Sequence, residues 1–504
     1  MKNEKNLLKE QFSKTIEDHK KEIQFLYKSD SIPWVLGYSG GKDSTAIVQL
    51  IWNAISDLPV QERTKRIYVI TTDTLVENPV VSGWVRTSLK RMQEQAIIDE
   101  MPIEPVHLTP ELVDTFWVNL IGKGYPSPRP KFRWCTERLK IRPVDKFIRN
   151  VAGTHGEAIV VLGTRKAESA GRAARLKKYE EMGRRDFLSN HTSIESAFVY
   201  APISDWSNDD VWLYLMQVSN PWNNPNKDLL TMYQGATSDG ECPLVVDTTT
   251  PSCGSSRFGC WVCTLVDEDK SMTAMIQNDD EKTWMLPLLK LRNELDEHDH
   301  DKREFKRLNG GVMLKHNVDE LVPGPYTQHS RAQWLKKLLS VQEAIRSNPE
   351  TPEFMSEFEI ITLDELNEIR RIWITEKYEI EDLVPRIYEE ITGREFPGQS
   401  FDQSQPYGEA ELKILKNDVC RGNEIRFSLL RNLLEIERRY RSSRRRAGLL
   451  DKFEDALKKG AFENENEALE FAIRRRDNKQ KLEKIRDKDT DIHEFQSIVS
   501  EFKN

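Results

Sequence analysis

Trp34-Val35-Leu36-Gly37-Tyr38-Ser39-Gly40-Gly41-Lys42-Asp43-Ser44 joins a short apolar run to a second apolar stretch, from Thr45 to about Ile55. The first five residues read as a strand and the later stretch as a buried helix, with a glycine-rich turn between them. Two further runs have the same form. Ile67-Tyr68-Val69-Ile70 leads to Thr72-Asp73, and Ala158-Ile159-Val160-Val161-Leu162 leads to Gly163-Thr164-Arg165. Short apolar strands alternating with helical stretches predict a Rossmann-like α/β fold, a parallel sheet covered on both faces. Ligands of such sheets bind beyond the carboxyl ends of the strands. All three ends here carry polar or glycine residues.

The turn at 39–44 has the parts of an anion site. Gly40 and Gly41 allow a phosphate close to the backbone. The helix behind them opens with N–H groups that favour an anion, and Lys42 adds positive charge. Asp43 would repel phosphate unless Mg²⁺ lay between them, so it reads as metal-linked or as a helix cap. The spacing does not match a Walker A loop. The plainer alternative is a Gly-Gly turn capped by Ser39 or Asp43.

Four of the six cysteines fall together, as Cys242-x10-Cys253-x6-Cys260-x2-Cys263. The stretch around them is rich in Pro, Gly, Ser and Thr, an irregular backbone that can wrap a metal centre. Four thiolates suit a tetrahedral zinc or an iron–sulfur cluster. Iron–sulfur is favoured over Zn²⁺, although spacing alone does not choose. Trp261 and Phe258 are placed to shield such a cluster. Cys135 stands apart; Arg133, Arg138 and Lys140 nearby would lower its pKa, and the bland alternative is a small buried residue beside Trp134. Cys420 reads as structural.

At 504 residues the chain has room for two or three domains. Its net charge of −8 weighs against a stand-alone nucleic-acid binder. Met1 to Lys21 is thick with Lys and Glu and has no apolar signal region. No apolar run reaches the ~20 residues of a membrane helix, so the expected compartment is the cytoplasm. The expected organisation is an N-terminal helix at 1–30 and an α/β nucleotide domain at 31–220. The cysteine segment follows at 221–270, then a helical domain at 271–400 and charged helices at 401–504, with a break near 396–407.

The motifs together resemble a known family. Ser39-Gly40-Gly41-Lys42-Asp43-Ser44 is similar to the PP-loop of adenine-nucleotide α-hydrolases. Four further segments resemble the phosphoadenylylsulfate (PAPS) reductases. These are Thr72-Asp73-Thr74 with Glu77, Arg133-Trp134-Cys135-Thr136 with Lys140, and Gly163-Thr164-Arg165 with Glu168, Ser169 and Arg172. The last is Ala201-Pro202-Ile203-Ser204-Asp205-Trp206 with Asp210-Val211-Trp212. The resemblance implies that ATP, with Mg²⁺, binds at Ser39 to Ser44, Asp73 and Gly163, and is split at the α-phosphate. It gives Lys42, Arg165, Lys140 and Arg172 to the phosphates, and a catalytic part to Lys42, Asp43, Arg165 and Cys135.

Sulfate reduction is disfavoured, because Cys135 stands alone and the sequence ends Glu501-Phe502-Lys503-Asn504 rather than in Glu-Cys-Gly. The stretch from Ser252 to Thr264, Asp269-Lys270-Ser271-Met272, Thr74-Leu75-Val76-Glu77 and Gly324-Pro325-Tyr326-Thr327 instead resemble the DndC family of DNA phosphorothioation systems. That resemblance implies an adenylating sulfurtransferase with a 4Fe–4S cluster on Cys242, Cys253, Cys260 and Cys263. Its implied partners are DNA, met within a complex of other phosphorothioation proteins, and a cysteine desulfurase as sulfur donor.

Two alternatives stay open. One is a tRNA thiolase or a reductase of sulfo-nucleotides; the other is a nucleotide-sensing scaffold with a structural metal. Six arginines at 438, 439, 441 and 444–446 could neutralise DNA phosphates. A solvated helix face paired with Glu435 and Glu437 is the favoured reading of that run.

Overall fold

The computed structural model describes residues 2–168, 174, 187–191, 193–236, 258–297, 299–355, 359–379, 381–398, 409–441, 446–460 and 462–486. The chain divides into two compact units. The first takes in residues 1–116, 127–296 and 341–360, and the second takes in 117–126, 297–340 and 361–504.

The first unit is an α/β domain. After helix α1 (Lys2–Ser29) come β1 (Trp34–Gly37), α2 (Lys42–Ser56), β2 (Ile67–Thr72), α3 (Pro79–Ile98) and β3 (Ile103–Leu108). Then follow α4 (Arg142–His155), β4 (Ala158–Val161), β5 (Ser189–Asn190), β6 (Ala197–Tyr200), α5 (Asn208–Gln217) and α6 (Asn226–Gly235). The sheet order is β3-β2-β1-β4-β6-β5. Every pairing is parallel except the short β5–β6 edge.

The strands alternate sides as a two-residue period demands. Trp34 and Leu36 of β1 join a core with Ile47, Leu50 and Ile51 of α2. Val35 faces the other way, into a core with Tyr68, Ile70, Ile148 and Val151. Both faces are therefore covered, and α2 is buried almost all round because it lies inside this packing. Truncating Leu50 to Ala would cost about 2–5 kcal/mol at such a site.

Sheet order sets the position of the site. From β1 the chain moves through β2 to β3 on one side, then returns through β4 to β6 on the other. The reversal lies between β1 and β4, and a crevice opens there beyond the strand ends. The loops 38–44 and 162–165 both leave the sheet at this point.

The strands expected at 34–38, 67–70 and 158–162 are all present. β3 and β6 were not singled out from sequence. β3 carries Glu104 and Pro105, which break an apolar run; the edge position tolerates both. Asp210, part of a family-like segment, forms a capping box with Ser207 at the start of α5, with bonds of 2.8 and 3.1 Å.

The second unit is helical among its described residues. Its helices include Leu363–Thr375, Leu383–Thr392, Glu424–Arg441, Leu449–Gly460 and Glu465–Arg486. Cys420 is buried there with Leu412 and Phe427, a structural placement. No helix among the described residues is long and apolar enough to cross a membrane. The proposed break at 396–407 falls largely outside the described residues.

Candidate active site

The loop after β1 is held by its glycines. Gly40 has φ +72°, and a Cβ there would lie 2.4 Å from Val85 Cγ2. Only glycine meets both conditions without strain. The Trp84 indole N–H donates to the Gly40 carbonyl at 3.2 Å. Gly41 is the N-cap of α2 and provides no side-chain cap.

Neither Ser39 nor Asp43 caps this helix, so the capped-turn reading does not hold. Ser44 Oγ instead closes the loop, accepting from Ser39 N–H at 3.2 Å and lying 3.0 Å from the Gly41 carbonyl. The first helical N–H, of Lys42, donates to the Tyr233 hydroxyl at 3.2 Å. Gly163 brings the β4 loop against the same turn: a Cβ there would sit 3.0 Å from the Asp43 carbonyl oxygen.

Charge converges on Asp43. Arg165 Nε donates to Asp43 Oδ1 at 2.7 Å, and Lys42 Nζ lies 3.1 Å from Oδ2. The Arg165 side chain is only 4% exposed, and its Nη1 donates to the Trp206 carbonyl at 3.2 Å. Both carboxylate oxygens of Asp43 are thus engaged by cations. The carboxylate orients Lys42 and Arg165 at the mouth of the helix.

The loop after β2 is a second corner of the same crevice. Asp73 Oδ1 accepts from the Leu75 N–H at 2.8 Å, which shapes a turn with Leu75 at φ +63°. Its Oδ2 is 3.5 Å from His107 Nε2. Burial pushes the Asp73 carboxyl up, but His107 and the Leu75 N–H outweigh it and hold the pKa below the usual range.

The Cys260-x-x-Cys263 segment packs onto this loop. Glu77 and Cys260 form an isolated antiparallel bridge, with the Trp261 N–H on the Val76 carbonyl at 3.0 Å. The Cys263 N–H turns back to the Cys260 carbonyl at 3.0 Å. Arg292, 1% exposed, holds the Cys263 carbonyl at 3.0 Å. Cys260 Sγ lies 3.3 Å from the Thr74 hydroxyl and 3.7 Å from Glu77 Oε1. Burial, then the Glu77 charge, push its thiol up to about 12, against the pull of Lys140.

Lys140 is placed in this corner. Its Nζ is 3.4 Å from Glu77 Oε1, and Cys260 and Glu77 raise its pKa against the opposing effect of burial. Cys135 lies close enough to Cys263 to feel its charge. Burial raises the Cys135 thiol pKa, opposite to the lowering expected from its basic neighbours. Lys140 does pull it down, but burial outweighs it, and the other two cations are engaged elsewhere: Arg133 with the Pro130 carbonyl, Arg138 with Asp114. Trp134 stacks on Phe116 with centroids 5.3 Å apart.

Cys242, Cys253, Ser169 and Arg172 lie outside the described residues. Among the described residues no group of three or more His, Cys, Asp or Glu is arranged to hold a metal ion. Cys260 and Cys263 nonetheless form a Cys-x-x-Cys turn of the chemistry that suits an iron–sulfur centre. Trp261 is 1% exposed, and Phe258 meets the Tyr233 ring edge-on at 4.5 Å.

Tyr233 was missed from the sequence. It joins the nucleotide loop to the cysteine segment, through Lys42 on one side and Phe258 on the other. No local signal marks it, since its partners lie far away in the chain. Trp84 was missed for the same reason.

Residues 33–265 match the family model described as the phosphoadenosine phosphosulfate reductase domain. An uncharacterized protein of Methanocaldococcus jannaschii is 27% identical over 201 residues, covering 40% of this chain and 35% of that protein. The chain thus spans about a third of that relative's length. Two solved structures are similar at low level. The PAPS reductase of Candida auris, a phosphate complex, is 14% identical at a TM-score of 0.26, covering 39% of this chain and 78% of that one. The U34-tRNA thiolase NcsA of Methanococcus maripaludis, with its 4Fe–4S cluster, is 14% identical at a TM-score of 0.25, covering 57% and 81%. Over residues 33–265 this chain is thus similar to the phosphoadenosine phosphosulfate reductase domain.

Proposed function

We propose that this protein is an ATP pyrophosphatase that adenylates a DNA phosphodiester and so lets sulfur replace a non-bridging oxygen. The observation that carries the reading is the pairing of two features on one sheet edge. One is a glycine loop with Lys42 and Arg165 held by Asp43; the other is a Cys-x-x-Cys turn packed on the next strand's loop.

The chemistry needs both. A phosphodiester oxygen is a poor leaving group. Attack by that oxygen on the α-phosphorus of ATP forms a P–O bond and expels pyrophosphate. A hydrosulfide equivalent then attacks the DNA phosphorus; the P–S bond forms, and AMP departs with the P–O electron pair. Lys42, Arg165 and the start of α2 would stabilise the negative charge of the triphosphate in the first step. Mg²⁺ would come with the nucleotide, as MgATP, and would shield the triphosphate from the Asp43 carboxylate. Cys260 and Cys263 would hold an iron–sulfur cluster, with Cys242 and Cys253 completing the set; a cluster there would supply sulfur handling next to the adenylated phosphate. A cysteine desulfurase would be the sulfur source; a thiol reductant would cleave its persulfide with two electrons, releasing the hydrosulfide and leaving a disulfide, and other phosphorothioation proteins would share the DNA.

The segment resemblances at 74–77, 252–264, 269–272 and 324–327 support DNA as the acceptor over a soluble sulfo-nucleotide. Mass spectrometry of nuclease-digested DNA from cells with and without the gene tests this. Sulfur-containing dinucleotides present only with the gene are expected. Their absence from both, with thiolated tRNA changing instead, would overturn the DNA assignment.

A further inference from the structure

Within the arginine run 438–446 the described arginines face carboxylates. Arg438 and Arg439 both bond Glu435, at 2.7 and 2.9 Å, and Arg441 bonds Glu437 at 2.8 Å. Arg446 lies 3.8 Å from Glu437. Arg444 and Arg445 lie outside the described residues. Exposed arginines paired in this way along a helix keep little net field.

A different part of the second unit gathers basic side chains around a groove. A cavity of about 1100 Å³ opens between the loop 307–317 and the helix Glu465–Arg486. Its walls include Arg307, Lys315, His316, Arg475, Arg476 and Lys479, and among the described residues no Asp or Glu lines it.

The loop is built to hold its shape. Leu314 and Leu321 form an antiparallel bridge, and the Val322 N–H reaches the Met313 carbonyl at 2.7 Å. Gly310, at φ +79°, turns the chain so that its N–H meets the Arg307 carbonyl at 2.8 Å. Beneath, Leu321, Phe462, Ala468 and Ala472 make a small core with Val312 and Leu314. The groove floor is thus packed and its rim is charged.

The rim cations differ in availability. Lys315 pairs with Glu320 at 2.6 Å, Arg476 pairs with Asp319 and Asp477, and Lys479 lies 3.7 Å from Glu483. Arg307 and Arg475 are exposed and have no ion pair among the described residues. Leu308 and Met313 are 53% and 56% exposed beside them, an apolar margin suited to sugar and base edges rather than to a free inorganic anion.

We propose that this groove binds the phosphodiester backbone of DNA, with Arg307 and Arg475 as its principal phosphate contacts. The assignment of DNA, rather than another polyanion, rests on the proposed function above; the groove itself does not. Its charge and relief match a backbone that carries one negative charge per ~1.7 Å of duplex axis.

The test is fluorescence anisotropy of the full chain with a labelled mixed-sequence duplex across a salt series. Arg307→Glu with Arg475→Glu is expected to weaken binding at least about tenfold. The slope of log K against log salt should become shallower by about 1.8, two phosphate contacts' worth. The milder Arg307→Gln with Arg475→Gln should fall between, with an unchanged melting temperature. Arg438→Gln with Arg441→Gln should bind as the parent does. Groove variants that bind like the parent, or a helix variant that loses as much, would overturn the proposal. So would a parent that binds tRNA through these residues and leaves the duplex unbound. ATP cleavage measured without nucleic acid reports separately on residues 39–44, so failure of the groove and failure of the nucleotide reading are distinct results.

Discussion

The nucleotide corner and the cysteine corner stand on one edge of the same sheet, yet their charges are arranged in opposite ways. At the first, Lys42 and Arg165 converge on the single carboxylate of Asp43, beside a helix start. The balance is positive at a helix start, which suits a polyanion. At the second, Lys140 faces the Glu77 carboxylate, and Cys260 Sγ lies 3.7 Å from the same carboxylate. That balance is close to neutral, and the corner brings sulfur rather than positive charge. The two adjacent loops therefore present different chemistry, one cationic and one sulfur-bearing.

The largest expected effect lies in the first corner. Arg165→Ala removes a buried guanidinium from both Asp43 and the Trp206 carbonyl. ATP cleavage should fall about 10²–10³-fold, the usual loss for a preorganised charge donor. A steady-state assay that finds parental rates would move phosphate binding away from this corner. Lys140→Ala sharpens the contrast, because its partners are Glu77 and Cys260; it should spare ATP cleavage by comparison.

Glycine substitutions separate the corners next. Gly40→Ala meets Val85 at 2.4 Å in a left-handed backbone, and should destabilise by about 1–3 kcal/mol. Gly259→Ala, beside Cys260, meets nothing within 4 Å and should change stability by less than about 1 kcal/mol. Chemical denaturation giving equal losses for both would break the comparison.

A smaller effect belongs to the bridge between them. Tyr233→Phe takes the acceptor from the Lys42 N–H and should cost about 1 kcal/mol in the free protein. A bound triphosphate would offer that N–H a new acceptor, so the deficit should shrink in a thermal melt with MgATP. A deficit that stays constant would place the phosphates elsewhere.

The smallest concerns acid. The folded-state pKa of Asp73 lies below its ordinary value, so its carboxylate contributes stability above the unfolded pKa of about 4. That contribution is lost as pH falls through the depressed folded value. The stability gap between the parent and Asp73→Asn should be flat at neutral pH and close in acid. A gap that widens in acid would reverse the sign of this argument.

The nucleotide corner was legible because its parts are neighbours in sequence. Gly40, Gly41, Lys42 and Asp43 are consecutive, and the strand before them and helix after them show in the apolar pattern. What Asp43 does was not legible, since its partner Arg165 comes from another strand end. The cysteine corner is assembled from residues far apart in the chain, such as Thr74 with Cys260 and Glu77 with Lys140. Sequence proximity suggested activation of Cys135 by Arg133 and Arg138, but burial and other partners decided the matter. The arginine run was conspicuous and its described members proved to be paired, whereas the groove at Arg307 and Arg475 joins two segments that sequence reading had no reason to connect.

The central claim is cleavage of ATP between the α- and β-phosphates at residues 39–44. The direct measurement is product analysis after incubating the full chain with ATP labelled in the α- and γ-phosphates, together with duplex DNA and a sulfide source. The account predicts AMP and pyrophosphate in equal amounts, both lost in Lys42→Ala. ADP and inorganic phosphate as the products, or equal yields from Lys42→Ala, would contradict it.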